Sequence, residues 1–247
     1  MKSILKNSNG NAISTNGKLL GGGESTLKKL LDTTKTTQYL FSRYTGTSVD
    51  DLIKYDDTEN VEAMNNMFEY NSNLVSPPLL NTSKVKNMSY AFNSCSSVLE
   101  FPEYDYSIVE NLRYTFAGCK KTTTISLKNA NNVSNYSYTF YQCLKLQTID
   151  ITSLDNITST SSMSWFANSC YVLTKLIIRT MTKVPPLDTN SFDLCHHFNG
   201  KVNATYNPDG LKDGRIYVPD NMVDQLKQAT NWSAFADIIV PLSTLEE

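Results

Sequence analysis

Cys95, Cys119 and Cys143 are the residues of this chain best equipped for chemistry, and they stand 24 residues apart. Thiols in register could bridge, bind metal or, beside a base, attack a substrate. Cys195 has neighbouring bases in His196 and His197. Adjacent side chains on extended backbone point apart, so a Cys–His pair would need unusual geometry. The two histidines are read as turn residues. Five cysteines is an odd count, no CxxC accompanies them, and no His/Cys set has zinc spacing. Asp50-Asp51 and Asp56-Asp57 pair carboxylates without the DxDxDG pattern of a calcium loop, and read as solvated turns or helix caps. No catalytic residue, metal or cofactor is expected. The thiols read as small buried residues.

The elements that must place them follow from the same spacing. Phe68, Phe92, Phe116 and Phe140 share the 24-residue period, and each cysteine follows its phenylalanine by three positions. Val61, Val85, Val109 and Val133 stand seven residues before those phenylalanines; Leu74, Val98, Thr122 and Leu146 stand six after. Such a period is the signature of stacked repeats. Val85, Met88 and Phe92 fall at i, i+3 and i+7, which predicts a short helix or 3-10 segment. Ile149 and Ile151 alternate with polar residues, which predicts a short strand. The fold class expected is an α/β repeat solenoid with one short strand plus one short helix or 3-10 segment per repeat of about 24 residues. The cysteine column should then stack at about 4.8 Å.

Four segments are expected. Residues 1–26 lack periodicity and read as a flexible N-terminal docking arm; Gly21-Gly22-Gly23 there lacks the strand and Gly-Lys-Ser/Thr of a phosphate loop. Residues 27–58 read as a cap and atypical first coil, opening with an amphipathic helix at Leu27, Leu30 and Leu31. Residues 59–197 are the repeat array. Residues 198–247 read as a capping module, with a strand over 215–219 and a helix from Asn221 that Asp220 N-caps.

Val85-Lys86-Asn87-Met88-Ser89-Tyr90-Ala91-Phe92-Asn93-Ser94-Cys95 resembles the coil pattern V-x-N-M-x-x-M-F-x-x-C of the BspA-like leucine-rich-repeat family. Ile216-Tyr217-Val218-Pro219-Asp220 resembles the segment closing such arrays, and residues 30–58 resemble the cap of members encoded by bacteriophages and their hosts. The resemblance spans about residues 27–247. It implies a right-handed leucine-rich-repeat-like coil and a non-enzymatic display or binding role, as a cell-surface adhesin or a virion component. Residues 1–10 carry two lysines with no apolar stretch after them, so no Sec leader is expected there. Export within a virion is therefore favoured, as tail, baseplate or capsid decoration, with a cell-surface adhesin as the alternative.

The partners expected are other virion proteins, through the arm, and a host-surface glycan or protein; a homo-oligomer is compatible with the sequence. A net charge of −2 without a basic stripe argues against nucleic acid, and no apolar run is long enough to insert in a membrane. Two binding surfaces are candidates. One is the outward face of the strands: Glu100, Pro102, Thr124, Ser126, Thr148, Asp150, Lys175 and Ile177. The other is a column two residues before each phenylalanine, Tyr90, Tyr114 and Tyr138, suited to sugar or protein contact.

Overall fold

The computed structural model describes residues 4–6, 12–15, 18–19, 25–201 and 203–246. The fold has α/β character, built on a five-stranded parallel sheet with a few short helices. Within the segment expected as a docking arm, β1 (Ile4–Lys6), β2 (Ala12–Thr15) and β3 (Lys18–Leu19) pair antiparallel in that order. The rest of that arm, including Gly21-Gly22-Gly23, lies outside the described residues. Helix α1 (Ser25–Thr34) then buries Leu27 and Leu31 against the first coil.

The phenylalanine half of the repeats around Phe68, Phe92, Phe116 and Phe140 is a series of turns and not the helix expected; the coil before Phe166 does hold a 3-10 segment, at Thr160–Met163. Backbone N–H groups alternate in their partners. Those of Ala91, Asn93 and Cys95 close local turns onto Met88, Tyr90 and Phe92 (3.0–3.1 Å). Those of Met88, Tyr90, Phe92 and Ser94 reach forward to the carbonyls of Asn111, Arg113, Thr115 and Ala117 (2.7–3.0 Å). A helix would turn every N–H inward to the residue four before it, leaving none to join the repeats. The alternation requires positive φ at every fourth residue, and finds it at Tyr90, Ser94, Tyr114, Gly118, Tyr138 and Gln142 (56° to 72°). That is the φ signature of the third position of a type II turn. Most of these positions are not glycine, so each costs about 1–2 kcal/mol; the bonds between repeats offset this.

The phenylalanines form one buried stack. Phe41, Phe68, Phe92, Phe116 and Phe140 lie near-parallel, centroids 5.3–5.9 Å apart. Phe166 then meets Phe140 edge-on (5.1 Å, 89°) and Phe192 likewise (5.9 Å, 84°). The edge-on step falls where the spacing widens from 24 to 26 residues. Either geometry suits ring quadrupoles.

The strand half is present in only part of the chain. β4 (Thr124–Leu127), β5 (Thr148–Ser153), β6 (Lys175–Thr180), β7 (Arg215–Val218) and β8 (Ile239–Pro241) form a parallel sheet in sequence order. Ile125, Ile149, Leu176, Ile216 and Ile239 occupy one buried rung. No backbone bond joins residues 99–103 to β4 among the described residues. A strand was expected there and in the repeat before it. Pro77, Pro78 and Pro102 cannot donate to a ladder, and aromatics fill the space instead: buried Tyr104 bonds the Pro78 carbonyl (2.8 Å), and half-buried Phe101 packs edge-on against Phe92 and Phe116 (5.0 and 4.8 Å).

The C-terminal module closes the sheet with Trp232, fully buried, whose indole N–H donates to the Pro185 carbonyl (2.8 Å). Asp220 does not cap the helix. A 3-10 turn over Asp220–Met222 leads into α3 (Val223–Gln228), and the Asp220 carboxylate accepts from the Ser243 N–H at 3.1 Å. The two histidines open a short helix, α2 (His196–Asn199), rather than a turn, ended by Gly200 at φ 63°; glycine suits that left-handed C-terminal position.

Candidate functional site

The tyrosine column is a stacked surface ridge. Tyr90 and Tyr114 stack at 4.7 Å, Tyr114 and Tyr138 at 4.3 Å, and Trp165 continues the series at 5.8 Å from Tyr138. All four are half-buried. They stand at the positive-φ positions of the turns, so the backbone that links the repeats also aims these rings outward. Tyr141 braces the end of the ridge, edge-on to Tyr138 and Trp165 (5.7 and 5.9 Å). The Arg113 guanidinium lies over Tyr114 at 5.5 Å. Burial, and then the phenols on either side, push the Tyr114 hydroxyl up to about 12. The Tyr114 hydroxyl remains a neutral donor across ordinary pH. Their faces cover one another, so the ridge presents ring edges and hydroxyls.

Trp165 and Tyr141 were missed in the sequence. Trp165 directly precedes Phe166, one place off the tyrosine register, because it follows Tyr138 by 27 residues while Phe166 follows Phe140 by 26.

The strand face is less open than its pattern suggests. Thr124, Thr148 and Lys175 share a rung with Arg215; Ser126, Asp150 and Ile177 share the next with Tyr217. Thr124 and Ser126 are exposed, Thr148, Asp150 and Lys175 half-buried. The Arg179 guanidinium grips Asp150 through two bonds (3.0 and 2.6 Å), and Lys175 lies over the Tyr217 ring at 6.0 Å. Ile177, expected to face solvent, is only 5% exposed. Glu100 is exposed but stands on the unpaired 99–103 segment, outside the sheet, and Pro102 there is half-buried. The face is a set of satisfied pairs with an exposed Thr/Ser edge at β4.

All five thiols are free and buried. Each donates to a carbonyl one repeat back: Cys95 to Phe68 (3.1 Å), Cys119 to Phe92 (3.4 Å), Cys143 to Phe116 (3.1 Å), Cys170 to Phe140 (3.0 Å) and Cys195 to Ala167 (3.1 Å). Burial pushes the Cys95 thiol up to about 12 and those of Cys119, Cys170 and Cys195 upward as well. A protonated donor is the form this column uses, whereas nucleophilic attack needs the thiolate.

The histidines part company. The His197 ring bridges the Asp213 carboxylate (2.7 Å) and the Tyr206 carbonyl (3.0 Å), pinning the 203–214 loop. His196 is buried against Tyr171 and Tyr206, its Nδ1 without a partner. Asp57 accepts from the Lys54 N–H (2.8 Å) as a cap of the 3-10 turn at Tyr55–Thr58. Among the described residues no three His, Cys, Asp or Glu side chains converge as a metal site, and no helix is long and apolar enough to cross a membrane.

These features define a repeat-built protein whose best-developed surface is an aromatic ridge. Residues 35–152 and 79–177 match the model of a family described as "Mycoplasma protein of unknown function, DUF285". Together the matches cover more than half of the chain, and it belongs to that family. No curated protein matches it.

Proposed function

We propose that this chain is a non-enzymatic recognition and display protein, a leucine-rich-repeat-like solenoid of the BspA-like type carried on a bacteriophage virion. The observation that carries the reading is the ridge Tyr90–Tyr114–Tyr138–Trp165, half-exposed across four repeats on backbone locked by bonds between them. Rigid tyrosine and tryptophan side chains give large contact area at little entropy cost. With ring faces spent on each other, edges and hydroxyls suit a protein partner. The thiols act as buried donors, which supports a structural rather than a catalytic use of the cysteine column.

Mass spectrometry of purified particles from the producing culture tests the virion reading: the chain should be present in stoichiometric amount, and its absence sinks that reading. A cell-surface adhesin is the second reading, favoured by the family's description as a Mycoplasma protein. Surface labelling of intact cells in a particle-free culture should mark the chain if that reading holds.

A further inference from the structure

A groove that neither surface above includes runs along the repeats beside the buried valine column. Val85, Val109, Val133 and Ile157 are buried, while the residues on either side of the last three, a turn or bend residue before each and the residue after it, reach the surface. Two parallel rows result, and between them lies an open groove of about 650 Å³. One row holds Ile108, Asn132 and Asn156; the other holds Glu110, Ser134 and Thr158, with Lys86 at the near end. All but Ile108 are exposed, and Ile108 is half-buried.

The groove is fixed before any ligand arrives. Backbone N–H groups of Lys86, Glu110 and Ser134 each donate to the carbonyl one repeat earlier, at 2.9 Å throughout, so one row is a continuous hydrogen-bonded chain. In the other row the Asn132 amide donates to the Ser107 carbonyl (2.5 Å) and the Asn156 amide to the Asn131 carbonyl (2.7 Å). Each amide is held by its NH₂ end, which leaves its oxygen as a positioned acceptor. The Ser134 hydroxyl donates to the Glu110 carbonyl (3.2 Å) and is likewise left as an acceptor.

We propose that this groove binds an uncharged oligosaccharide lying along the repeat axis. Amides, hydroxyls and one Lys/Glu pair of opposite charge match vicinal hydroxyls, which both donate and accept. Ile108 offers an apolar contact for the C–H face of a ring. An anionic chain would meet Glu110 as well as Lys86. A peptide adding as a strand would need free backbone groups, and those of the Lys86–Glu110–Ser134 row are already bonded. Pre-positioned acceptors favour affinity because little ordering is left for binding. The proposal rests on the reading of the chain as a recognition protein and adds, beside the protein partner that the ridge suits, a glycan bound at this site, on a virion or on a cell.

The intact chain, labelled, is applied to an array of neutral and anionic glycans beside three variants: Asn132→Ala/Asn156→Ala, Ser134→Ala/Thr158→Ala and, on the ridge, Tyr138→Ala. Circular dichroism melting first confirms that each is folded. Neutral oligosaccharides should be retained, and weakened about tenfold or more by either groove double variant. Retention of anionic glycans only, of no glycan at all, or of neutral glycans equally by the groove variants overturns the proposal. Loss through Tyr138→Ala alone would move the site to the ridge and overturns it too. Absence of the chain from particles leaves these readouts unchanged, so the two failures are separable.

Discussion

The turn column and the strand column cross the same molecule, yet one is continuous and the other is not. The turn column links successive coils from Thr37 to Asp193 by backbone bonds. The strand column is a sheet only from Thr124 onward. The difference lies in what each backbone demands. A turn ribbon needs positive φ at every fourth residue, which Tyr, Ser, Gln and Gly all adopt here. A ladder needs a donor at each rung, which Pro77, Pro78 and Pro102 lack. Continuity of the molecule therefore rests on the turns and the phenylalanine stack, and the sheet reinforces its C-terminal half.

The largest expected effect comes from breaking the continuous column at its centre. Phe116→Ala removes a fully buried ring that packs on Phe92, Phe140 and Phe101, and should cost about 3–5 kcal/mol in urea unfolding. A cost below about 1 kcal/mol would mean that the stack does not hold the repeats together. Proline scanning tests the other column: Asp150→Pro, in a strand paired on both sides, should cost about 3 kcal/mol, whereas Glu100→Pro in the unpaired segment should cost a few tenths. Equal costs would erase the distinction between the paired and unpaired segments.

A smaller effect, of opposite sign, is expected at Asn71. It occupies the cysteine position of its repeat, is fully buried, and both its amide oxygen and nitrogen lack partners. Asn71→Cys places a thiol within the register that, at Cys95, Cys119, Cys143 and Cys170, donates to the phenylalanine carbonyl of the repeat before. It should stabilise the chain by about 1–3 kcal/mol, the cost of burying unpaired polar atoms. A thermal melt that falls instead would show that Asn71 has a partner the fold requires.

The smallest effect is a pH dependence confined to the C-terminal end. Burial, then the charges of Lys201 and His197, hold the His196 imidazole below its ordinary value, while Asp193 pulls the other way. The unfolded chain takes up a proton near the usual value of about 6.5, and the folded chain does so only at lower pH. Stability is thus fullest above about pH 6.5 and falls as pH drops through the depressed value. His196→Phe should flatten that fall in melting temperature; an unchanged slope would assign it to other groups.

Much of this was legible in order of repetition. The Phe/Cys/Val columns mark the core because a buried position recurs once per repeat, and every residue of those columns is buried. The tyrosine ridge was legible for the same reason up to Tyr138, and was lost at Trp165, where the spacing widens from 24 to 27 residues. The helical reading failed because the i, i+3, i+7 spacing of Val85, Met88 and Phe92 fits two backbones. Side-chain spacing alone does not say whether an N–H turns back four residues or crosses to the next repeat.

By itself the sequence determined that the Phe, Cys and Val columns face inward, since burial follows side-chain chemistry and period, and with them that the thiols belong to the core. Only the tertiary structure decided that the phenylalanine half is a ribbon of turns, that the sheet begins at Thr124, and that the stacked tyrosines expose edges rather than faces. Those outcomes depend on hydrogen bonds and ring contacts between residues about 24 positions apart. No local pattern specifies such bonds until a neighbouring repeat is in place to accept them.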